Sequence, residues 1–193
     1  MNAIPVSRAA GLVASFAAGL LLLGAGAQAQ DLDVPYVPTP VEIVDKMLDL
    51  ASVGKNDVVY DLGCGDGRIV IRAATERGAR GTGIDHDPSL VEKANANARQ
   101  AGVADRAVFV VGDLFDFDFS KASVVTLYLL PDVNEKLRPY LWRQLKVGTR
   151  VVSHDYDMGA GWPPEKVVRM GKRKVLYYWT IREEHKVAVG LKG

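Results

Sequence analysis

The strongest constraint in this chain is the run Asp61-Leu-Gly-Cys-Gly-Asp-Gly67, which closes the apolar stretch 58–62 and leads straight into Arg68-Ile-Val-Ile. Three glycines at alternate positions let the backbone turn tightly and approach a ligand that side chains would keep away. A β-prone stretch before them and an apolar-periodic stretch after them predict strand, turn and helix. In an open α/β sheet such a turn lies beyond the carboxyl ends of the strands, where ligands bind at the switch in strand order.

The rest of the chain repeats that alternation. Further strands are expected over 81–85, 107–111, 123–130 and 150–155. Helices are expected over 68–77, from Asp87-Pro88 to Gly102, and over 134–145 with a bend or shift at Pro139. Upstream, Thr39-Pro40-Val41-Glu42 reads as a capping box with proline at the first helical position. That helix carries Val41, Val44, Leu48 and Ala51 at helical spacing and stops by Gly54. Residues 31–38 are an extended lead-in, since Pro35 and Pro38 disfavour helix before them. Residues 174–182 are β-rich and would add an antiparallel strand paired with 166–170. The expected fold is α/β: a Rossmann-like, doubly wound, mostly parallel sheet with a C-terminal antiparallel strand.

With 193 residues, 48% of them apolar, the chain suits one domain. Its first 30 residues stand apart: one charge, Arg8, then an apolar run from Ala9 to Ala27. Ala27-Gln28-Ala29 fits a signal-peptidase site, so residues 1–29 read as a secretory signal peptide and 30–193 as the functional domain. The expected location is periplasmic or secreted. The alternative is an uncleaved membrane anchor, with Arg8 directing the domain to the far side. Removing 1–29 leaves equal numbers of acidic and basic residues, so no basic footprint of a nucleic-acid binder is expected. A single cysteine, Cys64, excludes an internal disulfide. With it, His86, His154 and His185 show no metal-ligand spacing, and no metal is expected.

Four carboxylates fall at the expected ligand edge: Asp61, Asp66, Asp85 and Asp113. A dinucleotide would place its diphosphate on the glycine turn. Asp61 and Asp66 would repel it, and the position of the last glycine in the dinucleotide pattern is Arg68. S-adenosylmethionine (SAM) has no phosphate and carries a sulfonium and an ammonium against one carboxylate. An acidic glycine turn suits that net positive ligand. Asp85 lies near the spacing at which an acid grips ribose hydroxyls.

The same residues resemble a known family. Asp61-Leu-Gly-Cys-Gly-Asp-Gly67, Asp85 and Gly112-Asp113-Leu114 are similar to the three motifs of class I SAM-dependent methyltransferases. The resemblance implies that Asp61, Gly63 and Gly65 hold the methionine portion, with Asp61 directly or through water at the ammonium; Cys64 is a small residue in that cofactor-binding turn. It implies that Asp85 takes the ribose diol, that Asp113 bonds the adenine amino group, and that Leu114 or His86 packs on the ring. A narrower likeness covers most of residues 30–193. Pro35-Tyr-Val-Pro-Thr-Pro40, Gly65-Asp-Gly-Arg-Ile-Val70 and residues 134–145 resemble the small lysine methyltransferases acting on the ATP synthase c subunit and related proteins. The non-SET histone-lysine methyltransferases are more distantly similar. This likeness implies that Tyr36 and Thr39 lie near SAM and that the acceptor is a protein lysine, with membrane proteins among the candidates. Residues 124–130 lack the Asn-Pro-Pro-Tyr motif of amide and adenine methyltransferases.

A free lysine has a pKa of about 10.4 and must be neutral to attack, so the site has to shed a proton. Candidates to act on the acceptor are Tyr36, Tyr128, His154 and Asp155, with Asp132 beside them. Tyr36, Tyr128, Tyr156 and Trp162 are candidate walls of a lysine channel by cation–π contact. His154 and Asp155 are adjacent, so along a continued strand they point to opposite faces. A His–Asp dyad is not expected there unless the strand has already ended. Ser153-His154 has no flanking elbow glycines, which argues against a serine hydrolase. The other readings are a small-molecule methyltransferase and a SAM-binding sensor without catalysis.

Overall fold

The computed structural model describes Met1 and residues 37–191. The signal-peptide or anchor reading of 1–29, the lead-in up to Pro35 and the site candidate Tyr36 lie outside these residues. In chain order the elements are α1 (Val41–Leu50), β1 (Val58–Leu62), α2 (Arg68–Arg77), β2 (Arg80–Asp85), α3 (Pro88–Gln100) and β3 (Ala107–Val111). They continue with β4 (Val124–Leu127), α4 (Pro131–Gln144), β5 (Arg150–His154), β6 (Lys166–Met170), β7 (Lys174–Thr180) and α5 (Glu183–Ala188).

One seven-stranded sheet runs in the order β3-β2-β1-β4-β5-β7-β6. Strands β1 to β5 are parallel, and β7 is antiparallel to both β5 and β6. Buried on both faces, the central strands read as continuous apolar runs, as parallel strands do. Val59 packs on one face with Val44, Met47, Leu48, Ile69 and Ala73 of α1 and α2. Its neighbours Tyr60 and Leu62 pack on the other face, with Leu137 and Leu141 of α4. The order of strands reverses between β1 and β4, so the switch point lies where their carboxyl ends diverge.

The doubly wound, mostly parallel architecture agrees with the sequence, down to the bounds of β1, α2 and β3. Four local expectations change. Thr39 does not cap α1: the cap position is Pro40, with no side-chain bond, and the Thr39 hydroxyl lies 3.2 Å from His154 Nδ1. The strand expected over 123–130 ends at Leu127, and α4 starts at Pro131 instead of Asn134. Proline at a first helical position fixes both; Pro139 then sits inside α4 without ending it. The fifth strand stops at His154, because Asp155 turns into the left-handed region with φ 62°. Helix α5 is an addition to the expected elements; its Arg182 N–H donates to His185 Nδ1 at 2.9 Å.

Candidate active site

The glycine turn is held against its neighbouring strand. Gly63 and Cys64 N–H both donate to Ile84 O, at 2.8 and 2.9 Å. Gly65 N–H donates to Asp85 Oδ2 at 2.8 Å, and Asp87 N–H donates to Oδ1 at 3.1 Å. Asp85 therefore staples the end of β2 to the turn after β1. Gly63 and Gly67 have φ of 82° and 80°, which side-chain-bearing residues adopt at a cost. A Cβ on Gly67 would also lie 2.6 Å from the Phe109 ring.

Charge in this turn is concentrated on two acids. Asp61 is buried at the end of β1 and accepts a 2.7 Å bond from Thr126 Oγ1. Burial, with Asp85 and Asp66 nearby, pushes its carboxyl up to about 7. Such a group is poised to ionise when a cation arrives. Asp66 behaves differently. Its carboxylate takes Arg68 Nε at 2.9 Å and Nη2 at 2.7 Å, so much of its charge is already matched. The repulsion of a diphosphate expected from Asp61 and Asp66 thus falls to Asp61 and Asp85.

Thr39 joins this turn to the other half of the site. Its carbonyl accepts from Arg68 Nη1 at 2.9 Å, while its hydroxyl meets His154 Nδ1. His154 is wholly buried at the end of β5, and burial lowers it to about 4, so it is neutral at pH 7. Its Nε2 makes no full hydrogen bond but lies 3.5 Å from Asp155 Oδ2. The condition for a His–Asp approach, a strand already ended, is met. His154 is enclosed, with Thr39 at Nδ1 and Asp155 near Nε2.

A second cluster of polar and aromatic side chains gathers around Asp155. Lys174, which the sequence reading did not single out, donates to Asp155 Oδ2 at 2.8 Å and to Tyr128 Oη at 3.4 Å. Its Nζ lies 5.5 Å from the centre of the Tyr128 ring. Tyr128 stacks on Tyr156 at 6.2 Å and lies 4.0 Å from the His154 ring. Burial would raise the Asp155 carboxyl, but bonds from Lys174 and Val175 N–H outweigh it and hold it below its ordinary value. Tyr128 follows Leu127, which pairs with Leu62 just before Gly63. The two clusters therefore flank one switch point.

Other sequence candidates sit differently. The Cys64 side chain packs in the core with Val70, Ala94 and Phe109; burial raises its thiol, so its part in the turn is as a small residue. His86 is exposed, 3.4 Å from Asp85 Oδ1. Asp113 is exposed and accepts from Phe115 N–H at 2.8 Å, while Leu114 packs against the core beneath. Trp162 is no channel wall: it is buried against Trp142 and Trp179, and its carbonyl accepts from Trp179 Nε1. Asp132 sits in the first turn of α4, outside the hydrogen-bonded cluster around Asp155. Among the described residues no group of histidine, cysteine and acids has the arrangement of a metal site.

Comparison with known proteins bears on this geometry. The family model of the ANTKMT methyltransferase domain matches residues 61–166. A protein-lysine N-methyltransferase of Saccharolobus islandicus is 45% identical over 156 residues, covering 79% of this chain and 96% of its own length. The human lysine N-methyltransferase of the ATP synthase c subunit is 30% identical over 145 residues, 75% of this chain and 61% of that protein, so this chain spans less than two thirds of that relative. The crystal structure of an RNA methyltransferase from Salinibacter ruber with S-adenosyl-L-homocysteine (SAH) is 60% identical, with a TM-score of 0.74 over 76% of this chain and 95% of that one.

Proposed function

Because this chain belongs to the ANTKMT family of SAM-dependent methyltransferases, we propose that it methylates a lysine side-chain amine of a protein. One observation carries the choice of acceptor. The acceptor side of the switch point already holds a lysine ammonium, that of Lys174, between the Asp155 carboxylate and the Tyr128 hydroxyl and ring. A site that accommodates this group suits another of the same chemistry. The relatives named for protein lysines support the reading.

SAM, when bound, supplies a methyl carbon whose bond to sulfur breaks as an amine lone pair forms the new one. In this reading Asp61 takes the ammonium of the cofactor, Gly63 and Gly65 let its chain pass close, and Asp85 takes the ribose. Two carboxylates at the glycine turn, Asp85 and an Asp61 pushed up to about 7 chiefly by burial, fit that ligand. Asp155 accepts an N–H of the acceptor amine and sets its direction. Neither His154, at about 4, nor Asp155 is basic enough to keep the proton at pH 7. The proton leaves to solvent, driven by burial of the amine beside other cations.

The test is incubation of the protein with methyl-labelled SAM and a membrane extract, since one relative is named for the ATP synthase c subunit. Label is expected in protein, on lysine, after acid hydrolysis. Label in a small metabolite alone would sink the lysine reading, and label nowhere would favour a sensor.

Cofactor binding is expected to depend on pH through Asp61. Its carboxyl, raised to about 7 in the free protein, holds a proton below that pH. A cationic ligand favours the ionised form, so binding must expel the proton. SAM affinity should therefore fall about tenfold per unit as pH drops below 7, and level off above it. Calorimetry across this window checks the slope, which Asp61→Asn should flatten. An affinity independent of pH in the unaltered protein would refute the assignment.

A further inference from the structure

Charge along the carboxyl rim of the sheet is uneven. Residues 166–174 hold five cations and no acid: Lys166, Arg169, Lys172, Arg173 and Lys174. Strand β6 runs parallel to β5, because both pair antiparallel with β7. The β6–β7 turn therefore emerges on the rim that carries the active site. Lys174 turns inward to Asp155. Arg169, Lys172 and Arg173 are exposed and, among the described residues, pair with no acid. Glu165, just before β6, is taken by Arg182 at 3.1 Å.

The opposite end of the rim is acidic. Asp113, Asp116 and Asp118 are exposed in the segment after β3. The outer strands β3 and β6 are six spacings apart, about 30 Å. Edge strands often carry cations that discourage pairing with other chains. That accounts for Lys166 and Arg169 on β6. It does not account for Lys172 and Arg173, which sit in the turn where there is no ladder edge to protect.

We propose that the β6–β7 tip, Lys172 and Arg173 with Arg169 behind them, docks an acidic protein segment that presents the acceptor lysine. This rests on the lysine reading above and narrows its substrate class. Lys174 links the tip to the site, since its ammonium reaches Asp155 while its backbone continues the basic turn. A segment lying across Lys172 and Arg173 thus has its lysine beside Tyr128 and Asp155. Basic residues flanking that lysine would be repelled. Nucleic acid fits less well. The tip, Met170-Gly-Lys-Arg173, offers no aromatic ring for a base to stack on, and the acidic end of the rim would repel a phosphate backbone crossing it.

The test uses the full chain with SAH and two fluorescent peptides. Both carry norleucine at the acceptor position, one between acidic and one between basic flanks. Anisotropy should show the acidic peptide binding about tenfold or more tighter, with the gap closing as salt is added. The double variant Lys172→Glu, Arg173→Glu should erase or reverse the preference while SAH affinity and melting temperature stay unchanged. Equal binding of both peptides, or an unchanged preference in the variant, overturns the proposal. An RNA oligonucleotide that binds the tip more tightly and displaces the peptide overturns the protein assignment. Labelled lysines without charge-dependent docking would overturn this inference alone. Charge-dependent docking with no transfer to any amine would overturn the lysine reading.

Discussion

Asp85→Ala should reduce SAH affinity about a hundredfold or more, near 2.7 kcal/mol, while leaving the chain folded. Two losses combine. The carboxylate that the reading assigns to the ribose hydroxyls disappears, and charge-assisted bonds of this kind are among the stronger ones. The staple also goes, since Gly65 N–H and Asp87 N–H both lose their acceptor. The turn must then be ordered when the ligand arrives. Folding itself should suffer less, because Asp85 is one of the charges that oppose ionisation of Asp61. Calorimetry and thermal melting separate the two effects. Binding within threefold of the unaltered protein would show that Asp85 does not hold the cofactor.

Asp155→Asn is expected to lower methyl transfer about a hundredfold, with cofactor affinity unchanged. The substitution suits the backbone: asparagine tolerates the left-handed φ of 62° at this position at least as well as aspartate. It also keeps the shape of the side chain. What it removes is the charge that holds Lys174 at 2.8 Å and directs an acceptor N–H. Lys174, whose own pKa is raised chiefly by its bond to Asp155, should titrate lower in the variant. The loss should appear in kcat more than in the acceptor KM. A kcat within threefold of the unaltered protein would remove Asp155 from the mechanism.

These two acids differ in how far the sequence announces them. Asp85 follows an apolar strand at a fixed distance from a glycine turn, and local pattern alone locates it. Asp155 is a candidate by position at a strand end, but its partner Lys174 is not. Nineteen residues separate them, and only the antiparallel return of β7 brings them together. The signal present is compositional: five cations in nine residues, whose uneven placement the net charge of the whole chain conceals. Thr39 misleads for a related reason. A threonine before Pro-Val-Glu has two places for its hydroxyl, the helix terminus or a tertiary partner, and local sequence reads only the first. Trp162 resembles a channel wall by its place after β5, yet it packs with Trp142 of α4, Trp179 and His185. Strand and helix bounds are legible because proline, glycine and burial act within a few residues. The acceptor cluster is not, because it is assembled from β4, β5 and β7.

The tether made by Thr39 has a consequence for how such a chain can diversify. In the proposed reading, Asp61 and Asp85 of the glycine-turn cluster and Tyr128, Asp155 and Lys174 of the second cluster lie in two separate stretches of chain, which an exchange at a single crossover could divide. Thr39 belongs to neither stretch, yet it bonds to both, through Arg68 and through His154. A chimaera that swaps the later stretch keeps its methyl donor and inherits a new clientele only if the incoming strand end offers Thr39 a partner.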